Sequence, residues 1–351
     1  MAEGKNLVGV DIGSSSIKVC QLKETRKGFS LAKMAYAPLP PQTVVDGHVM
    51  NSGVVVETLA KVFHDNKIKQ RDVAMSVSTQ SVIIRRISLP IMNAAELDEH
   101  IPWESKQHIP FDLKEMQLDY EVLRRRPETG QMDVLLVAAK KEEINDHANL
   151  AREAKLKPVV VDIDAFTVQN MFENVRGLPT DQTIALINIG ASISSLNIVS
   201  NGATIFPRDV PTGGNAITEQ LQKQLGIPIE QAEAYKSATD ETGLLSKSAV
   251  SIIRDAADGV AGEIQRSIDF FLATNGDIEL SKIFVTGGSA NLPQLCSSLE
   301  RRSGVGVEVF LPTEKLTIEP KEVDPKMVSL RAAQMSVALG LALRKDKEKR
   351  T

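Results

Sequence analysis

Apolar positions in the first part of the chain fall in short β-type runs broken by small residues, and later ones fall at helical spacing. Residues 7–10 form an apolar run that meets Asp11-Ile12-Gly13-Ser14-Ser15-Ser16, and a second run follows over 17–22. Two strands about a tight turn of small residues predict a β-hairpin. Val55, Leu59, Val62 and Phe63 predict a helix over 55–65, and 73–76 reads as another strand. The texture changes between about 78 and 157. Residues 82–89 are strand-like and end at Pro90, and Asn93 with Glu96 three residues on has the form of a capping box opening a helix near Ala94. Pro102 and Pro110 are expected to interrupt the chain beyond that start. Residues 117–123 and 133–139 are expected to pair across the Pro127-Glu-Thr-Gly130 turn. An amphipathic helix over 140–155 carries Ile144, Ala148 and Ala151 on its apolar side. This segment reads as a small α+β unit inserted into a larger one.

The opening pattern then returns in weaker form. A strand over 158–163 leads to a helix over 164–172 with Asp164 as its N-cap, and residues 177–181 form a hinge. Strand 183–189, turn 190–192 and strand 194–200 repeat the first hairpin. The glycine joint Pro211-Thr-Gly213-Gly214-Asn215 precedes helices over 217–225 and 230–237 and a long helix over 248–274. Strand 282–285 runs into Thr286-Gly287-Gly288-Ser289. A single helix is expected over 330–343, ahead of the charged run 344–350, which is either solvated or in contact with anionic lipid.

Composition narrows the class. The 351 residues are 42% hydrophobic and 25% charged, as in folded proteins, and the formal net charge of −4 gives no basic field for nucleic acid. Cys20 and Cys296 are too few for a disulfide framework and read as small buried residues in a reducing compartment. No secretory signal is read at the start. Residues 183–207 carry no charge, but Asn188, Ser192, Ser194, Ser195 and Asn197 make them poor membrane-spanning material, so a soluble chain is expected. The five histidines show no metal-ligand spacing except His100 and His108, eight apart across a proline, and no metal is expected there.

Chemistry enters through the duplication. Val10-Asp-Ile-Gly-Ser-Ser-Ser-Ile-Lys18 and Ile187-Asn-Ile-Gly-Ala-Ser-Ile-Ser-Ser195 share a strand–Gly–small–strand pattern. Turns of glycine and serine expose backbone N–H groups, and such concave runs of donors bind phosphate oxygens. Two of them across a cleft could clamp a polyphosphate, and an acidic residue beside one could hold a hydrated magnesium ion. Gly213-Gly214 fits a joint or a close backbone approach.

With Gly287-Gly288 after a strand and Ala338-Leu-Gly340 on a later helix, these motifs resemble the actin-like ATPase superfamily. The first hairpin is similar to its first phosphate loop, 185–198 to its second, and 285–290 to its adenosine loop. Val8-Gly-Val-Asp-Ile-Gly-Ser-Ser-Ser-Ile-Lys18, the inserted 78–157 unit, 211–218 and Glu263-Ile-Gln-Arg-Ser-Ile-Asp-Phe270 together resemble the PilM family of type IV pilus assembly proteins, relatives of FtsA. The resemblance implies a two-lobed α/β fold with an FtsA-type inserted subdomain. The first lobe would comprise 1–77, 158–180 and 330–345, and the inserted subdomain 78–157. The second lobe would comprise 181–212 and 279–329, with a helical subdomain over 213–278 and a charged tail over 346–351.

It also implies ATP and Mg²⁺ in the interlobe cleft. Asp11 would orient magnesium-bound water. Gly13, Ser14, Ser15 and Ser16 would contact phosphates beside Lys18, with Gly190, Ala191 and Ser192 facing them. Gly214, Gly287, Gly288 and Ser289 would border the nucleotide, and Glu263 and Arg266 would approach its ribose and base unless they form a surface ion pair. The implied partner is the cytoplasmic N-terminal tail of PilN, with other inner-membrane and motor components of the pilus machine. A homo-oligomeric ring and a cytoplasmic location at the inner membrane through the partner are implied as well. Asn188 stands where hydrolysing members carry aspartate and Ala191 where they commonly carry glycine, so no catalytic residue is assigned and hydrolysis is expected to be weak or absent. Two other functions share this fold. A phosphotransferase would need a carboxylate base, for which Asp162 and Asp164 are the candidates by position. An FtsA-like filament-forming tether would want an apolar-faced C-terminal helix, which the charged tail does not offer. Trp103 either lines the partner groove or packs in the core or rim. Arg124-Arg125-Arg126 is a solvated strand end or a site for an acidic partner.

Overall fold

The first hairpin becomes the middle of a six-stranded sheet. The computed structural model describes residues 4–238, 245–276 and 278–347, with elements numbered in chain order. Strand β1 (Val8–Ile12) pairs antiparallel with β2 (Ser16–Thr25), and the sheet runs β10 (Lys157–Ile163), β6 (Asp72–Val77), β1, β2, β3 (Gly28–Pro38), β16 (Thr317–Ile318). Strands β10, β6 and β1 are parallel, the arrangement that calls for apolar residues on both faces under helices. One face is covered by α1 (Ser52–Asp65) and α3 (Lys141–Glu153), whose Val55, Leu59, Leu150 and Ala151 pack on Val8, Val10 and Val73. A two-strand ribbon, β4 (Val44–Val45) with β5 (His48–Val49), precedes α1.

The second hairpin seeds a five-stranded sheet ordered β13 (Ala203–Val210), β12 (Ser194–Ser200), β11 (Thr183–Ile189), β14 (Leu280–Thr286), β15 (Val307–Val309). The uncharged 183–207 stretch therefore supplies most of three strands, one more than its pattern predicts, and β3 is likewise unforeseen. Helices α5 (Gly214–Leu225), α7 (Lys247–Thr274) and α8 (Pro293–Ser303) cover its outer face through Ile217, Ile253, Ile264 and Leu295, with α6 (Ile229–Ser237) beside them. Helix α4 (Asp164–Arg176) lies between the two sheets. Its Met171 and Phe172 pack with Cys20 and Leu22 of the first sheet and with Ile184 and Leu186 of the second, and the Phe172 ring meets Phe284 and Phe310 at centroid distances of 4.8 and 5.0 Å.

Between β6 and β10 the chain makes a separate sheet, β7 (Val82–Pro90), β9 (Gln131–Lys140), β8 (Met116–Arg126), with its own core against α2 (Ala94–His108). The Asn93–Glu96 capping box is formed. Pro102 does not interrupt this helix. It forgoes one ladder bond, while burial of Leu97, Ile101 and Ser105 along one face keeps the helix in place. Trp103 on α2 is 66% exposed, which excludes a core role.

The helix expected over 330–343 is broken into α9 (Pro325–Arg331), a 3₁₀ turn at Ala332–Met335 and α10 (Ser336–Ala342). Its Ala333 carbonyl accepts bonds from the Gly287 N–H at 2.8 Å and the Thr286 hydroxyl at 3.0 Å, so donors from another element hold an acceptor that a continuous helix would use. Among the described residues, no helix is long and apolar enough to cross a membrane. Of the charged tail, Asp346 accepts a bond from the Lys5 N–H, and 348–351 lie outside the described residues.

Candidate functional site

The two hairpin turns are built alike and line one cleft. Gly13 N–H donates to the Ser16 carbonyl at 3.1 Å, and Gly190 N–H donates to the Ile193 carbonyl at 3.0 Å, so each turn closes over three residues. Asp11 and Lys18 are directly opposed in the β1–β2 register, and their side chains form a 2.9 Å ion pair with 14% of each exposed. Asp11, Gly13, Ser14, Ser15 and Lys18 line the cleft from the first sheet. Asn188, Gly190, Ala191, Gly287 and Gly288 line it from the second. Gly13 has no positive φ, and the tightest contact of a Cβ there would be the end of the Lys18 side chain at 3.2 Å, with the Ser16 carbonyl at an ordinary 3.5 Å, so the backbone itself does not demand glycine.

Other predicted residues stand one layer back. Ser16 is buried, and Ser192 accepts a bond from the Asn215 side chain at 3.1 Å. The Gly214 N–H and the Ser289 hydroxyl both donate to the Gly190 carbonyl, at 3.0 and 3.1 Å, so they brace the second turn from behind. Gly287 has φ +94°, and a Cβ there would fall 2.5 Å from the Ile189 carbonyl oxygen, so glycine is required where this loop crosses the end of β11. Glu263 and Arg266 form an ion pair with each other on α7, both well exposed, and neither is among the cleft-lining residues.

Asp164 differs from its expected role. The helix N-cap is Ile163, Asp164 makes no capping bond, and its side chain lines the cleft instead. Burial, then the field of Asp11, with Asp209 adding further, pushes its carboxyl up to about 8, against a bond from Ser76 that lowers it. A carboxyl raised in the folded state favours folding fully below the unfolded value. That contribution is lost as pH climbs from about 4 toward 8. Asp164→Asn is therefore expected to raise the melting temperature at pH 8, with the gain shrinking toward pH 4; a gain independent of pH in thermal melts would contradict this. Asp162, the other candidate base, is turned toward Arg344 at 3.4 Å and does not line the cleft.

Asp209 and Ser195 are cleft residues that motif reading missed. Asn188 faces Ser195 across β11–β12, and Ser195 faces Asp209 across β12–β13, so the three share one sheet face. Alternation along a predicted 203–210 strand would have been the signal, but that strand was not foreseen.

Two α/β lobes, each opening on a β-hairpin whose glycine turn lines the shared cleft, define an actin-like ATPase fold. Solved structures with that fold agree. EutJ, an ethanolamine utilization protein from Carboxydothermus hydrogenoformans, is 15% identical with TM-score 0.58, over 96% of this chain and 89% of that one. An MreB from Spiroplasma citri, bound to AMPPNP, is 11% identical with TM-score 0.53, over 97% of this chain and 96% of that one. The family model for the type IV pilus assembly protein PilM matches residues 9–346, and the chain belongs to that family. A solved PilM–PilN type IV pilus biogenesis complex is 26% identical with TM-score 0.84, covering 99% of this chain and 100% of that one.

Proposed function

We propose that this chain is a nucleotide-binding scaffold of type IV pilus assembly that holds ATP with Mg²⁺ between its lobes and captures the N-terminal tail of a PilN protein. The observation that carries the reading is the end-to-end likeness to the PilM–PilN complex at 26% identity, in a chain of the PilM family. In this reading the chain sits at the cytoplasmic face of the inner membrane through its partner, assembles as a homo-oligomeric ring and meets further pilus components. The first-lobe, inserted, second-lobe and helical subdomains follow the divisions drawn from the resemblance.

Within the cleft the residues present suit a hydrated metal–polyphosphate. The two glycine turns can present backbone N–H groups to phosphate oxygens, with Lys18 beside them as a compensating cation. Asp11 would orient magnesium-bound water, and magnesium bound to phosphates keeps several waters and takes few protein ligands. The bound metal would neutralise phosphate charge. Asp164 supports a second reading, a phosphotransferase, because a carboxyl raised toward neutral pH is suited to accept a proton from a hydroxyl.

Calorimetric titration with a synthetic PilN tail, with and without ATP and magnesium, tests the main reading. A photo-crosslinking version of the peptide is expected to label residues 78–157 or the adjoining edge strand β10. Absence of peptide binding would sink the partner assignment, and labels confined to the second lobe would move the contact surface.

A further inference from the structure

The cleft holds more acid than the glycine turns would predict. Asp11, Asp164 and Asp209 all line it, and among the described lining residues Lys18 is the one permanent cation, already paired with Asp11. With Asp11 paired to Lys18 and Asp164 held protonated toward pH 8, the negative charge an entering polyphosphate meets is chiefly that of Asp209 on the second lobe. Entry requires a divalent cation, and a cation needs contacts on the second lobe as well as at Asp11. Asn188 cannot supply charge there.

Among the described residues that line the cleft from the second sheet, two carry a buried polar atom without a partner. Ser195 is 6% exposed, and its hydroxyl is buried without a hydrogen bond. The Oδ1 of Asp209, its cross-strand neighbour, is also buried and unpartnered. An unmatched buried polar group is costly, and both residues line the same cleft, which calls for a ligand there. The other carboxylate oxygen of Asp209 is bound: Oδ2 accepts from the Ser78 hydroxyl at 2.5 Å and from the Gln80 N–H at 3.2 Å. Both donors stand at the start of the segment that leads from β6 into the inserted sheet. Asp209 thus holds the Ser78 segment through one oxygen and keeps the other unpartnered in the cleft wall.

We propose that Asp209, with Ser195 beside it, is the second-lobe contact for the hydrated divalent cation of the bound nucleotide, taking the place of the carboxylate that Asn188 does not provide. The assignment rests on the nucleotide reading above. Its contact is through water, because among the described residues no three acidic, histidine or cysteine side chains converge on one point. In the Asn188–Ser195–Asp209 row, adjacent strands set the side chains about 5 Å apart, a spacing that a hydrated ion can bridge. Asp209 acts as a positioning residue: it orients water on the cation and draws the Ser78 segment toward the phosphates at the same time.

The test is the sign of two affinities. ATP is titrated calorimetrically into the parent chain and into Asp209→Asn, once in excess magnesium and once in EDTA. Loss of a partner of a metal ligand costs about 10–100-fold, so affinity in magnesium should fall by that factor. Affinity in EDTA should stay level or rise, because a repelling charge has gone. Equal losses in both media would mean a merely structural residue and overturn the assignment, as would unchanged affinity in magnesium. Ser195→Ala should follow the same sign with a smaller loss and decides the matter if Asp209→Asn does not fold. Ser78→Ala keeps the carboxylate and should preserve the magnesium dependence; losing that dependence would place the effect in lobe closure and overturn the proposal. If the parent chain binds no ATP in magnesium, the nucleotide reading itself fails; if it does, only the role of Asp209 is at stake.

Discussion

Replacing Gly340 with alanine is expected to lower the melting temperature by roughly 4 °C, the equivalent of about 3 kcal/mol in a chain of 351 residues. Helix α10 runs between β1 and α4, and a Cβ at 340 would lie 2.0 Å from the Thr167 carbonyl oxygen of α4. On its other side, a Cβ at Gly9 of β1 would lie 2.0 Å from the Ala338 carbonyl oxygen of α10. Both obstacles are backbone atoms, which no rotamer change can move, so relief requires separating packed elements. The crossing also joins the two halves of the molecule, since α4 contributes to the core beneath both sheets. Gly259 gives the contrast. It lies in the middle of α7 with nothing within 4 Å of a Cβ, and Gly259→Ala should stabilise by about 0.5–1 kcal/mol through lower chain entropy. Thermal melts of the two variants check the pair. A Gly340→Ala protein melting within about 1 °C of the parent would refute the packing argument.

ATP held in the cleft is expected to persist through long incubations, and Asn188→Asp should speed its hydrolysis by up to about 10²-fold. A missing general base typically costs about 10²–10⁴-fold, and an amide holds a water without accepting its proton. Asn188 closes β11 beside Thr286 and Ser195, and its side-chain oxygen lies 2.6 Å from where a Gly287 Cβ would stand, so the site is tight but already polar. An aspartate there joins Asp11 and Asp209, which raises the demand for divalent cation. The gain should therefore appear in saturating magnesium. Quenched single-turnover assays measure it. Rapid hydrolysis by the parent chain that survives Asn188→Ala would defeat the argument.

Local pattern carried much of the architecture. The two hairpins, the Asn93–Glu96 cap, the paired strands about 127–130 and the long helix α7 all arise from apolar periodicity and turn chemistry, which act over a few residues. The cleft was legible for the same reason. Each glycine turn is contiguous, and the Asp11–Lys18 pair lies across a single hairpin. What neighbours in sequence could not determine was set by distant contacts. Asp164 has the type and place of a helix cap, but packing of α4 between the sheets turns it into the cleft, where Asp11 and Asp209 act on it. The 330–343 helix breaks because a loop more than forty residues earlier occupies the Ala333 carbonyl. Asp209 and Ser195 meet only through the register of three strands, and Asp209 finds Ser78 from another lobe, 131 residues away. Local sequence therefore decides most of the elements and where the glycine turns of the cleft lie. Packing between distant elements decides which carboxylates face the cleft, because side-chain direction at an element's end depends on what lies against it.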